Sequence, residues 1–140
     1  MGQLIHVIPE TEFAFDGRTS TEQLVMLAER IDASAIASGA LIVRFHSKGS
    51  WTGGTCKAEI RAHNMSFAEE EPHTLFAESG ASNRALVTIN NGDTAPRLYV
   101  TAFTAPIAAE LRVVLAWVQG AVASSGSNTF SIAVDIVGRE

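Results

Sequence analysis

Hydrophobic and polar residues alternate along most of this 140-residue chain. A period of two marks a strand with one buried and one wet face. From Ala40 to Ser47, Leu41, Val43 and Phe45 share one face while Ile42, Arg44 and His46 take the other. From Cys56 to His63, Cys56, Ala58, Ile60 and Ala62 point one way, and Lys57, Glu59, Arg61 and His63 point the other. The segment between them, Lys48-Gly49-Ser50-Trp51-Thr52-Gly53-Gly54-Thr55, is a glycine-rich turn former. Read as a hairpin, the two strands set Phe45 opposite Ala58 and Val43 opposite Ile60. Arg44 then faces Glu59 on the wet side, a cross-strand pair worth about a few tenths of a kcal/mol.

Two further pairs follow. Residues 84–90, with Ala85, Val87 and Ile89 in alternation, precede residues 97–103, where Leu98, Val100 and Ala102 alternate. Asn90-Asn91-Gly92-Asp93 supplies a tight turn between them, and Pro96 stands just before the second strand, where its missing N–H does no harm. In residues 110–118, Leu111, Val113, Leu115 and Trp117 form one stripe. In 129–137, Phe130, Ile132, Val134 and Ile136 form another, and these large residues are the expected core. The join Ser124-Ser125-Gly126-Ser127-Asn128 is polar.

The N-terminal third is less regular. Leu4–Ile8 and Glu12–Phe15 read as short strands around Pro9, with residues 1–20 also open to an extended arm. Residues 21–32 fit either a helix stripe (Leu24, Leu27, Ala28, Ile31, capped by Ser20) or a strand. The strand is preferred because the neighbouring hairpins offer a sheet to join. Ser34–Ser38 fits one helical turn, and Glu69-Glu70-Glu71 before Pro72–Gly80 reads as a solvated loop. The expected fold is all-β: an antiparallel, jelly-roll-like sandwich of about eight strands in one domain over 1–140.

Composition narrows the function. At this length folding buries roughly 68% of the unfolded chain's surface, enough for a core without staples. Hydrophobic residues make up 46% and charged residues 18%, which excludes a disordered chain and points to some apolar surface covered by a partner. The net charge of −5, with ten scattered basic residues, disfavours nucleic-acid binding, which needs a Lys/Arg surplus. Cys56 is the single cysteine, so no internal disulfide forms, as expected of a cytoplasmic fold. No signal peptide and no apolar run of membrane-spanning length is visible.

The chain is expected to carry no cofactor, metal or catalytic apparatus. His6, His46, His63 and His73 lack the close spacing of zinc ligands. Cys56 falls on the core face, and neither a G-x-S-x-G elbow nor a phosphate loop occurs. Two features remain open to a binding reading. Trp51 in its glycine-flanked loop, beside Lys48, either anchors an interface or folds back over the end of the sandwich. Ile42 lies opposite the Leu41 side, and Tyr99 and Phe103 lie opposite Leu98 and Val100. Strands apolar on both faces are covered on both, by a partner or by a loop of the same chain. Trp51, Lys48, Tyr99 and Phe103 are thus the candidate partner contacts.

Ile31-Asp32-Ala33-Ser34 with Ala40-Leu41-Ile42-Val43-Arg44-Phe45-His46-Ser47 resembles the small cement (decoration) proteins of tailed-bacteriophage capsids. So do Leu111-Arg112-Val113-Val114 and Phe130-Ser131-Ile132-Ala133-Val134-Asp135. The resemblance spans roughly residues 20–140 and lacks a diagnostic motif. It implies a jelly-roll sandwich that binds the outside of an icosahedral shell as a homodimer and bridges major capsid subunits. The implied location is the virion, after assembly in a bacterial cytoplasm. The competing reading is a carbohydrate- or receptor-binding sandwich of a phage tail or fibre, which needs companion aromatics beside Trp51.

Overall fold

The computed structural model describes residues 2–16, 23–32, 38–49, 51, 57–64, 84–104, 110–118 and 127–139. They form eight strands: β1 (Gly2–Asp16), β2 (Gln23–Asp32), β3 (Ser38–Lys48), β4 (Lys57–Asn64), β5 (Arg84–Asn90), β6 (Arg97–Thr104), β7 (Glu110–Val118) and β8 (Ser127–Arg139). Residues 2–16 make one long strand along β8, with register shifts between His6 and Ile8 and between Ile8 and Thr11, so that Pro9 falls where the ladder is already broken. Residues 23–32 are a strand against β7.

Two four-stranded antiparallel sheets result, one ordered β1-β8-β3-β6 and the other β2-β7-β4-β5. The pairs β1/β8, β2/β7, β3/β6 and β4/β5 nest like one long hairpin rolled over itself, which is the jelly-roll arrangement. β1 lies against β2 and β6 against β5 across the two layers.

This topology overturns the three sequential hairpins. β3 and β4 lie in different sheets, as do β5 and β6, and β7 and β8. Arg44 sits opposite Leu98 and Ala133, and Glu59 opposite Thr88 and Ala116, so the Arg44–Glu59 pair does not exist. The Asn90-Asn91-Gly92 turn does form, closed by Asp93 N–H to the Asn90 carbonyl at 3.0 Å. It carries the chain from one sheet to the other instead of into a hairpin. Alternation states which face is buried and is silent on which strand lies alongside.

The inner stripes are as the alternation predicts for β3, β4, β5, β7 and β8: Leu41, Val43, Phe45, Ala58, Ile60, Val87, Ile89, Leu111, Val113, Leu115, Trp117, Phe130, Ile132, Val134 and Ile136 are all buried. β6 is the exception. Its register sets Tyr99 beside Val43 and Thr101 beside Leu41, so Tyr99 and Thr101 face inward and Leu98 and Val100 face water. β6 is an edge strand, and its Thr101 hydroxyl donates to the Leu86 carbonyl of β5 at 2.8 Å, joining the two layers at that corner.

The readings of Cys56, Glu69–Glu71, 72–80 and most of 34–38 fall outside the described residues, as do His73 and the side chains of His63 and Phe103.

Candidate functional site: the aromatic end and the two outer faces

Six aromatic side chains gather at one end of the sandwich. Phe15 of β1 stacks on Trp117 of β7 at 5.3 Å, and Phe130 of β8 lies 5.9 Å from each. Phe13 packs 6.0 Å from Phe130. Trp51 closes the group from the loop after β3, edge-on to Trp117 at 5.0 Å and to Phe130 at 5.6 Å, with Phe45 at 6.3 Å. Each such pair adds about 0.5–1.5 kcal/mol beyond simple burial.

The loop is held where β8 begins. Gly49 N–H donates to the Thr129 carbonyl at 2.8 Å, and the Trp51 indole N–H donates to the same oxygen at 3.1 Å. A Cβ at Gly49 would displace the Thr129 hydroxyl and press on its carbonyl oxygen at 3.1 Å, so glycine eases this close approach. Trp51 therefore folds back over the sandwich and is half-buried. The Lys48 ammonium covers its ring at 5.2 Å and donates to the Asn91 carbonyl. With its N–H engaged and its ring covered, Trp51 is no open stacking platform for a sugar.

Asn91 belongs to the β5–β6 turn, and that turn leads to Tyr99. The Tyr99 hydroxyl donates to Asp93 Oδ2 at 2.7 Å, Asn90 N–H donates to the same oxygen at 2.9 Å, and Arg97 lies 4.8 Å over the Tyr99 ring. Burial and the Asp93 carboxylate push the Tyr99 hydroxyl's pKa up to about 12. Burial alone would raise Asp93, but the donors Asn90 and Tyr99 and the nearby Arg97 outweigh it and hold its carboxyl below the usual range. The fold thus brings Lys48, Trp51 and Tyr99 together through the 90–93 turn. Phe103 lies farther along β6.

The outer face of the β1-β8-β3-β6 sheet holds a cluster that the sequence did not signal. Asp135 of β8 is buried although it points outward, and it accepts from His6 Nδ1 at 2.7 Å and from Arg44. His46 reaches Glu10 at 3.3 Å. β1 and β3 flank β8, whose outward side chains Ser131, Ala133 and Asp135 are short, so long side chains from both neighbours meet over it. Beside this cluster, Arg44, Phe45, His46, Pro96, Arg97 and Leu98 line an open groove of about 370 Å³. The other sheet has its own charged ladder, Lys57–Glu59–Arg61, at 3.2 and 2.6 Å. Burial would raise the Glu59 carboxyl, but hydrogen bonds and charge from Arg61 and Lys57 outweigh it and hold it below the usual range.

Large apolar side chains are exposed on both outer faces: Leu4, Leu98 and Val100 on one sheet and Leu24 and Met26 on the other. The advance signals were the low charged share of the composition and the two-sided apolar character of β3 and β6. Among the described residues no group of three or more His, Cys, Asp or Glu is placed to hold a metal ion. No helix among them is long and apolar enough to cross a membrane.

No protein-family model matches the chain, and no curated protein matches it. Solved structures do. The infectious bursal disease virus VP2 subviral particle superposes with a TM-score of 0.57 at 12% identity, covering 98% of this chain and 31% of that one. The infectious bursal disease virus Gx strain gives 0.55 at 11% identity, covering 98% and 32%. The acid-stable capsid of Helicobacter pylori bacteriophage KHP30 is a weaker likeness, at 0.42 and 14% identity, over 100% of this chain and 95% of that one. This chain spans about a third of the length of the infectious bursal disease virus chains it matches. It is an all-β, jelly-roll-like sandwich whose fold is similar to that of these infectious bursal disease virus chains.

Proposed function

We propose that the chain is a structural virion protein: a cement protein on the outer surface of a bacteriophage capsid, stabilising the shell by bridging major capsid subunits. The observation that carries the reading is a jelly-roll sandwich with apolar residues exposed on both outer faces. Surfaces of this kind mark protein contacts. The acidic balance of −5 suits an outer surface, since an inner one faces DNA. Fastening subunits needs complementary surfaces and no chemistry. Binding only to the assembled shell stabilises that shell by mass action, and engagement at more than one point multiplies modest contacts. The two-fold dimer implied by the resemblance is one way to obtain two points.

The test uses shells of the virus that encodes the chain, prepared with and without it. Light scattering then follows disruption as temperature rises. The cement reading expects earlier disruption without the chain and recovery when purified protein is added back. Equal disruption temperatures, or no binding to shells, would reject it.

A further inference from the structure

The open groove beside Asp135 exists because β3 runs on where β6 has not yet begun. The outermost pairing of the two strands is Phe45 with Arg97, while β3 continues to Lys48. His46 therefore has no β6 residue paired with it, and Pro96 lines the space that remains. On the outer face Arg44 stands directly opposite Leu98, which sets the two side chains next to each other. His46 follows two residues along, on the same face. The groove, about 370 Å³, is thus lined by three apolar residues, Phe45, Pro96 and Leu98, and by three with N–H donors, Arg44, His46 and Arg97. No acidic residue lines it.

These donors are only partly used. A guanidinium carries five N–H groups, and Arg44 reaches Asp135 through one terminal nitrogen, Nη1. Asp135 is buried and the Arg44 side chain is 50% exposed, so the carboxylate anchors the fork from the buried side. Nε and Nη2 of Arg44 have no partner among the described residues. His46 turns Nδ1 toward Glu10 at 3.3 Å, which leaves Nε2. Arg97 differs, because Asp93 and the Tyr99 ring already hold its guanidinium. Arg44 is the centre of the site.

We propose that this groove docks a short segment of a partner protein in which one Glu or Asp stands beside an apolar residue. The carboxylate takes the remaining N–H groups of Arg44, with the His46 ring next to it. The apolar neighbour lies on Leu98 and Pro96. The charge balance selects a single carboxylate over a phosphate. Glu10, Asp93 and Asp135 already pair with the donors around the groove, in a chain of net charge −5, so a dianion is repelled where one charge on the Arg44 fork is accepted. The shape selects a protein segment. The groove is open and near the small end of the roughly 300–1,000 Å³ of sites that engulf a small molecule, which suits a side chain presented by another protein. The site requires no capsid and so stands apart from the cement reading.

Nuclear magnetic resonance titration of the whole ¹⁵N-labelled chain tests it, with the capped tripeptide acetyl-Leu-Glu-Leu-amide as the probe. The backbone amides of residues 44–46 and 97–98 are expected to shift and to saturate in the millimolar range, as about one charge-assisted pair and one apolar contact allow. The uncharged Leu-Gln-Leu counterpart is expected to bind at least about fivefold more weakly, and inorganic phosphate more weakly than the Glu peptide. Arg44→Gln is expected to weaken the Glu peptide by at least about fivefold and to leave the Gln peptide unchanged, with circular dichroism confirming that the variant is folded. Should Arg44→Gln unfold, the comparison of Glu and Gln peptides on the wild-type chain decides alone.

No localised shift up to about 10 mM Glu peptide overturns the proposal. So does equal binding of the Glu and Gln peptides, phosphate that binds as tightly as the Glu peptide, or a folded Arg44→Gln variant of undiminished affinity. Failure to bind shells bears on the cement reading alone.

Discussion

Replacing Trp51 by Ala removes the side chain that closes the aromatic end, and its cost can be worked from its contacts. Truncating a fully buried Trp costs about 3–5 kcal/mol. Trp51 is half-buried, so the apolar loss is about 2 kcal/mol, including its edge-on contacts with Trp117 and Phe130. Its hydrogen bond to the Thr129 carbonyl contributes about 1 kcal/mol. That oxygen keeps the Gly49 N–H as a partner, so no buried acceptor is orphaned. The sum is about 3 kcal/mol, or about 10 °C in Tm for a chain of this size. Urea unfolding followed by circular dichroism should show a lower midpoint at unchanged slope, since the core exposed on unfolding is the same. Trp51→Phe, which keeps ring packing and loses the N–H, should cost about 1 kcal/mol. A loss below about 0.5 kcal/mol for Trp51→Ala would mean that the indole does not plug the sandwich, and the fold-back reading would fail.

Three further outcomes can be checked. Tyr99 is the single tyrosine, so absorbance at the phenolate band titrates it alone. The midpoint should lie at about 12 in the folded chain and fall toward the ordinary value in Asp93→Asn. The folded value is raised, so Tyr99's contribution to stability is complete below the unfolded value of about 10 and is lost as pH rises toward 12; a flat stability profile over that window would reject the burial of its hydroxyl. On the acid side, Glu59 and Asp93 are held below their ordinary 4.5 and 3.8. Their contribution is present above those values and is lost as pH falls through the lower folded values. Glu59→Gln should flatten the acid limb of a stability–pH curve. Finally, a double-mutant cycle of Arg44→Met with Asp135→Asn should give a coupling of about 1–2 kcal/mol, because the aspartate is buried while the arginine is half-exposed. His6→Ala, at an exposed partner of the same aspartate, should cost less than about 0.5 kcal/mol; coupling near zero in the cycle would place Asp135 in water.

The sequence by itself determined the strands from residue 40 onward and most of their inner faces, and left residues 21–32 between helix and strand. Leu111–Trp117 and Phe130–Ile136 alternate with large residues, and a strand with period two has one way to bury them. It determined that a turn forms at Asn90–Gly92, but not its backbone: neither Asn91 nor Gly92 takes a positive φ, so it is not the hairpin turn that Asn-Gly favours. It also left Trp51 with two fates. Only the tertiary structure decided between them, by bringing the Thr129 carbonyl within reach of the indole. The tertiary structure alone decided partnership as well. Arg44 found Asp135, 91 residues away, instead of Glu59, because consecutive strands cross between sheets and nothing local in the chain encodes that crossing. β6 makes the same point: Leu98 and Val100 look as core-like as Tyr99 and Thr101, and only pairing with β3 turns the tyrosine inward. Alternation is a local property that chooses a face. Strand order is a non-local property settled by the packing of the whole core, and the exposed apolar patches that carry the functional reading are products of that order.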